Sequence, residues 1–367
     1  MEYRLTDLCE LIMGQSPDSS SCNKNGKGIP FYQGNADFGE KNPTPRNWCL
    51  QPKKIAQKDD ILISVRAPIG DLNIANEDCC IGRGVAAIRM KSKECDRDYL
   101  YLFLESKSKY LQDCGTGSTF TAINKGVLES LKVKCPELKN QTSIANEIEN
   151  IKAAIKYKNS ELICLNEAVQ SEFVEMFGDN PVESGKWKVE TLGDVGKVSM
   201  CKRILREQTS PEGDIPFYKI GTFGKKADAY ISKELYNEFK SKYSYPSKGS
   251  ILISASGTIG RTVVFDGEPA YFQDSNIVWI DNDESKVLNG FLQFWYGTSP
   301  WKITQGGTIS RLYNSNISEA NVIIPPLEVQ QSFVSFVQQI DKSKFVVKQQ
   351  IADLQELLNS KMQEYFS

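Results

Sequence analysis

One frame is written twice in this chain of 367 residues, at an offset that settles to 189. Gly117-Ser118-Thr119-Phe120-Thr121, Pro136-Glu137-Leu138 and Gln141 return as Gly306-Gly307-Thr308-Ile309-Ser310, Pro325-Pro326-Leu327 and Gln330, and Phe177 returns as Phe366. Upstream the offset drifts by a few residues. Gly28-Ile29-Pro30-Phe31-Tyr32 answers to Asp214-Ile215-Pro216-Phe217-Tyr218, and Ile61-Leu62-Ile63-Ser64 with Ile69-Gly70 answers to Ile251-Leu252-Ile253-Ser254 with Ile259-Gly260. Insertions within a shared frame produce such drift. A duplicated chain can fold with internal pseudo-two-fold symmetry and offer two similar surfaces to a partner that is itself long or two-fold symmetric.

Each copy is long enough for a domain with its own core. Short apolar runs bounded by Asp, Gly and Pro predict strands at Ile61 to Val65, Gly84 to Ile88 and Leu131 to Cys135. Their counterparts are Ile251 to Ser254, Asn276 to Ile280 and Asn321 to Ile324. Between the second and third strand of each copy an amphipathic stretch reads as helix, Tyr99 to Leu111 and Gly290 to Tyr296. The fold class is therefore α+β, with polar loops projecting from a common frame.

After each sheet-rich stretch the pattern changes to heptads. Ile144, Ile148, Ile151, Ile155, Leu162, Leu165, Val169 and Met176 alternate by four and three, with Lys158 and Glu172 in the remaining slots. Phe333, Val337, Ile340, Val347, Ile351, Leu354, Leu358 and Tyr365 do the same, with Lys344 and Lys361 between them. Such seams predict two long helices with a coiled-coil partner. The interior lysines Lys158 and Lys344 either set register or snorkel to solvent. Proline marks both starts, at Pro136 and Pro325-Pro326, and Gly178 with Pro181 punctuates the first end. Each helix would be a rod of roughly 60 Å. Antiparallel pairing within the chain would hold the two sheet-containing domains apart, giving segments 1–137, 138–178, 179–326 and 327–367. Ala153, Ala154, Ile163, Phe173 and Phe177 fall off the first seam, and Phe336, Phe345, Val346, Leu357 and Phe366 off the second. These either dock other proteins or pack on the chain's own domains.

A formal net charge of −2 argues against a blanket electrostatic nucleic-acid binder while leaving room for local basic faces. Two domains held at fixed distance about a two-fold axis would read two DNA half-sites, separated by bases the protein does not touch. Candidate DNA contacts in the first copy are Lys24, Lys27, Arg46, Arg66 and Arg83, with Gln33 and Asn35 as amides able to read adenine. In the second they are Lys202, Arg203, Arg206, Lys219, Lys225, Lys226, Arg261 and Arg311. Arginine can grip guanine bidentately and either cation can hold phosphate, so charge alone does not sort them.

An enzyme reading fares worse. The chain contains no histidine, the commonest general base. Its Gly-rich turns, Ser64 to Gly70 and Ser254 to Gly260, lack the phosphate-loop Gly-Lys-Ser/Thr ending. Asp59, Asp60, Asp71, Glu77 and Asp78 have no spacing that compels a two-metal site. Ten scattered cysteines without a Cys-x-x-Cys pair suit small core residues in a reducing cytoplasm, and no apolar run is long enough to predict a membrane span.

The duplicated Ile-Pro-Phe-Tyr, Ile-Leu-Ile-Ser, Gly-Ser-Thr or Gly-Gly-Thr, and Pro-Glu-Leu or Pro-Leu-Glu helix openings resemble the DNA specificity subunit of type I restriction-modification systems. The resemblance covers essentially the whole chain, as target recognition domain, conserved helix, target recognition domain, conserved helix. It implies a non-catalytic subunit that reads a bipartite asymmetric site in double-stranded DNA. It also implies docking of two methyltransferase subunits and, through them, two restriction translocase subunits. No cofactor is expected in this chain; S-adenosylmethionine, ATP and Mg2+ would belong to those partners. Frame residues matching the family are Pro30, Phe31, Tyr32, Ser64, Gly70, Gly117, Thr119, Pro136 and Gln141, then Pro216, Phe217, Tyr218, Ser254, Gly260, Gly307, Thr308, Pro325 and Gln330. Turn-forming and helix-starting roles are expected of them. A duplicated protein-binding scaffold without DNA specificity, or the specificity module of a methylation-only or non-translocating system, are the alternatives.

Overall fold

The computed structural model describes residues 1–116, 121–298, 301 and 311–367. The 117–120 and 306–310 stretches of the duplicated loop motif therefore lie outside the described residues. The chain divides into two compact units, one of Met1–Ser160 with Val347–Ser367 and one of Glu161–Val346. Each unit takes in part of both long helices.

In the first unit a four-stranded antiparallel sheet runs in the order Cys9–Met13, Val85–Met90, Ile61–Ser64, Leu72–Ile74. A second sheet of five short strands runs Cys22–Asn23, Trp48–Cys49, Ile29–Tyr32, Cys79–Ile81, Ile55–Ala56. Within it Ile29–Tyr32 and Cys79–Ile81 are parallel, Phe31 opposite Cys80 and Tyr32 opposite Ile81. Successive side chains of a strand point to opposite faces, and the central strand is apolar on both. Ile61 and Ile63 enter one core with Leu100 and Leu104, whereas Leu62 joins a second with Tyr32 and Ile81. One side of the central sheet thus carries helices and the other supports the second sheet.

The second unit repeats this plan. Its four strands run Lys197–Ser199, Ile277–Asp281, Ile251–Ser254, Thr262–Val264. Ile251 and Ile253 enter the helix-side core, and Leu252 enters the other with Phe217 and Tyr271. Ile215–Tyr218 again lies parallel to a strand, Tyr271–Phe272. A helix, Lys233–Lys242, has no counterpart in the first unit and no place in the expected element order. Ser232 caps it by accepting from Leu235 N, and Tyr236 is its buried residue.

The turn after the central strand is built alike in both units. Ser64 Oγ donates to Pro68 O at 2.6 Å and accepts from Asp71 N at 3.0 Å. Ser254 Oγ donates to Thr258 O and accepts from Arg261 N at 2.9 Å. The turn closes through Gly70 at φ +90° and Gly260 at φ +78°, the left-handed region that a side chain disfavours.

The expected helix over Tyr99 to Leu111 is two helices, Arg97–Ser106 and Ser108–Asp113. They break at Lys107, whose backbone leaves helical geometry (φ −93°, ψ 2°) and whose ammonium donates to Phe366 O at 2.6 Å. The first long helix is Leu138–Phe177 and the second Leu327–Phe366, each of 40 residues. The first starts two residues after Pro136 and is followed by Gly178 at φ +96°. Gln141 and Gln330 are fully buried, and neither works as a simple cap. Gln141 Oε1 accepts from Asp96 N (2.8 Å) while its amide donates to Glu94 O (2.9 Å) and Pro136 O (2.8 Å). Gln330 repeats this with Leu288 N (2.9 Å), Lys286 O (2.9 Å) and Pro325 O (2.7 Å). Each long helix is thereby fastened to the loop that starts its own unit's shorter helix.

Every heptad slot is buried or half-buried. In the first unit Ile144 and Ile148, near the start of the first long helix, share a core with Leu358 and Tyr365, near the end of the second. In the second unit Val169 and Met176 share one with Phe333, Val337 and Ile340. Of the residues off the seam, Phe173, Phe177 and Phe366 pack into these cores, whereas Ile163, Phe345, Val346 and Leu357 are exposed. Among the described residues no helix is long and apolar enough to cross a membrane.

Candidate nucleic-acid interface

A cleft of about 570 Å³ opens on the second sheet of the first unit, lined by Lys24, Gln33, Asn35, Asp37, Arg46, Asn47 and Pro68 among others. It brings together four residues singled out from the sequence: Lys24, Gln33, Asn35 and Arg46. Its floor follows from strand geometry. The Ile29–Tyr32 strand ends at Gln33, the chain turns through Asn35–Asp37, and Phe31 N donates to Asn47 O at 2.8 Å to bring the returning strand alongside. Gly84 lets the neighbouring turn approach, since a Cβ there would collide with the Gln33 carbonyl.

Asp37 organises the wall. It is buried (5% exposed), and Oδ2 accepts from Gln33 N at 2.7 Å. Oδ1 accepts from Arg46 Nε at 3.0 Å and Nη2 at 2.9 Å. The Arg46 side chain nevertheless stays 55% exposed. Asn35 Nδ2 donates to Asp71 Oδ2, so one of its two amide N–H groups is engaged. The second amide N–H and Oδ1 are left for the donor and acceptor pair that reading adenine needs. Asn23 shapes the rim by accepting from Asn25 N (3.0 Å) and Lys27 N (3.1 Å), which leaves Lys24 and Lys27 exposed.

Arg66 and Arg83 are exposed beside this region. Arg66 bridges Ala122 through its backbone, and Arg83 Nε donates to Ser16 Oγ at 3.3 Å. Arg89 is committed elsewhere, paired with Asp60 at 2.9 Å. Asp37 and Asn47 escaped the sequence reading because an acidic residue and a lone amide in a loop carry no signal apart from their neighbours in space.

In the second unit the candidates are dispersed. Lys225, Lys226 and Arg206 are exposed, and Lys219 pairs with Asp228 at 2.8 Å. Lys202 lies 5.1 Å over the ring of Tyr243, just past the end of the added helix. Arg203 stands 4.0 Å from Asp274. Arg261 and Arg311 hold the frame: Arg261 donates to Phe223 O and covers that ring at 5.2 Å, and Arg311 Nη2 donates to Ser275 O at 3.0 Å.

Among the described residues no group of three or more His, Cys, Asp or Glu is placed to hold an ion. All ten cysteines are free thiols. Burial pushes those of Cys9, Cys79 and Cys201 up to about 12, so they remain protonated and act as apolar filling.

Similarity to known proteins follows the duplicated frame. A family model for the type I restriction modification DNA specificity domain matches residues 1–166 and 184–356. A putative type I restriction enzyme specificity subunit from Haemophilus influenzae is 65% identical over 154 residues, 42% of this chain and 40% of the relative. Another from Methanocaldococcus jannaschii is 43% identical over 41% of this chain and 36% of its own length. These alignments span less than half of either relative. A further type I specificity subunit from Methanocaldococcus jannaschii aligns at 26% identity over 91% of this chain and 85% of its own length. Among solved structures, the S subunit of a type I restriction-modification system from M. genitalium covers 100% of this chain and 96% of its own. At a TM-score of 0.61 and 15% identity, that is a likeness of fold.

Proposed function

Because the chain belongs to the type I restriction-modification DNA specificity family, we propose that it is the non-catalytic subunit that reads a bipartite, asymmetric site in double-stranded DNA. The observation that carries this reading is one frame bearing different side chains at matching places. Gly82 N donates to Tyr32 O in the first unit as Gln273 N donates to Tyr218 O in the second, so the next residues, Gln33 and Lys219, correspond. The bridge of Arg66 with Ala122 likewise matches that of Ser256 with Arg311. A shared scaffold with exchanged loop residues is what two different half-sites require. Residues 1–137 and 179–326 are the two readers, and the two long helices pair antiparallel as the spacer between them. The contacts supporting that pairing are made within each unit, where the start of one helix meets the end of the other. Exposed Ile163, Phe345, Val346 and Leu357 suit docking of two methyltransferase subunits, which would bring the two translocase subunits. S-adenosylmethionine, ATP and Mg2+ would serve those partners in the cytoplasm.

Selection from a random duplex library by the chain assembled with its methyltransferase partner tests the reading. Enrichment of one two-part motif with an unread gap is expected. Enrichment of no motif by an intact complex would favour a protein-binding scaffold.

A further inference from the structure

Resting on that reading, we infer that Arg46 specifies a guanine in the half-site read by the first domain, and that Asp37 is its positioning residue. Arg46 keeps unused hydrogen-bonding capacity. The Nε and Nη2 edge of Arg46 is tied to a single oxygen of a buried carboxylate. Asp37's other oxygen is occupied by Gln33 N. Nη1 takes no protein partner among the described residues. A guanidinium held along one edge still presents its outer end, with donors on Nη1 and Nη2, to the cleft.

That outer fork matches the paired acceptors O6 and N7 that guanine shows in the major groove. Buttressing matters because an arginine otherwise loses rotamer freedom when it binds. The alternative readers of the same wall are less suited. Asn35 has one amide N–H on Asp71 and keeps a single donor against the two acceptors that guanine presents, while Lys24 is an exposed point charge without directional pairing. Among the described residues the second unit shows no arginine held along one edge by a buried carboxylate: Arg261 bonds Phe223 O, Arg311 bonds Ser275 O, and Arg203 stands 4.0 Å from Asp274. This buttressed arginine is therefore a feature of the first domain.

A phosphate contact and a base contact by Arg46 have different signatures. The full chain, assembled with its methyltransferase partner, is taken through duplex-library selection alongside Arg46→Lys, Arg46→Ala and Asp37→Asn, each first matched to the parent by thermal melting. Arg46→Lys keeps the charge at a largely exposed side chain, so folding should be unaffected. The expected result is loss of preference at a single G·C pair by about ten- to a hundredfold in both Arg46 variants. Every other position of the motif should stay intact. The same position should relax in Asp37→Asn, an effect that a merely structural role would spread over the half-site. A uniform loss of affinity across all sequences with a shallower salt dependence would mean phosphate binding and overturn the proposal. Unchanged preferences in Arg46→Ala would overturn it too, leaving the bipartite reading in place. Failure of the unsubstituted complex to select any motif would remove both.

Discussion

The ring of Phe366, at the end of the second long helix, lies 5.2 Å from that of Tyr99 in the first unit. Phe177, its repeat partner at the end of the first long helix, lies 5.2 Å from Phe291 in the second unit. Each sheet-rich core is therefore closed by the far end of a long helix that it does not itself begin. In the first unit Phe103 and the Lys107 ammonium complete the seat. In the second, Phe333 and Trp187 do so.

Phe366→Ala should destabilise the protein by about 3 to 5 kcal/mol, the cost of a buried aromatic plus its cavity. Hydrogen exchange should rise first at Arg97–Ser106. Phe177→Ala should give a similar loss, with exchange rising at Asn289–Gly297 instead. Equal exchange in both segments for either variant would contradict the seating.

Gln141→Leu should cost about 2 to 3 kcal/mol in urea unfolding, because it leaves the Asp96 N–H and two carbonyls facing a buried apolar side chain without partners. Gln330→Leu should match it through Leu288 N. If the glutamines were only helix-starting residues on a polar surface, both losses would fall within roughly 0.5 kcal/mol.

Glu147 is one of the carboxylates that make stability depend on pH. The Tyr365 hydroxyl, 2.7 Å from its Oε2, and the Lys361 ammonium, 3.5 Å from Oε1, hold its carboxyl below the ordinary carboxylate range. A depressed native pKa stabilises at pH above the unfolded value, about 4.3, and that contribution disappears as pH falls through the native one. The melting temperature of Tyr365→Phe should lie below the parent's near neutral pH, and the gap should close as the solution is acidified. A gap independent of pH would show that Glu147 is not held this way.

The repeat, the two long helices and the central strands were legible because each is written in local periodicity that one dominant partner enforces. The heptads could not say where Phe173, Phe177 and Phe366 point. A helix that packs on both a helix and a sheet-rich core carries a second apolar face, which a seam of fours and threes does not describe. The break at Lys107 escaped for a similar reason: the bond from its ammonium to Phe366 O joins residues far apart in the chain. The added helix Lys233–Lys242 was hidden by its lysines, though Ser232 standing three residues before Leu235 is a capping signal in plain view. At the cleft, residue type identified Arg46 and Gln33, but only the fold reveals that Asp37 binds both. It also shows that one amide N–H of Asn35 is taken by Asp71.

The proposed reading requires a gap of set length between the two half-sites, and changing that gap tests it most directly. One added base pair between the halves of the selected motif displaces them by about 3.4 Å and rotates them by roughly a tenth of a turn. Titration of the assembled chain against the native and lengthened sites should show affinity falling at least about tenfold, with each isolated half-site binding weakly. Equal affinity for the two spacings would contradict a rigid two-part reader.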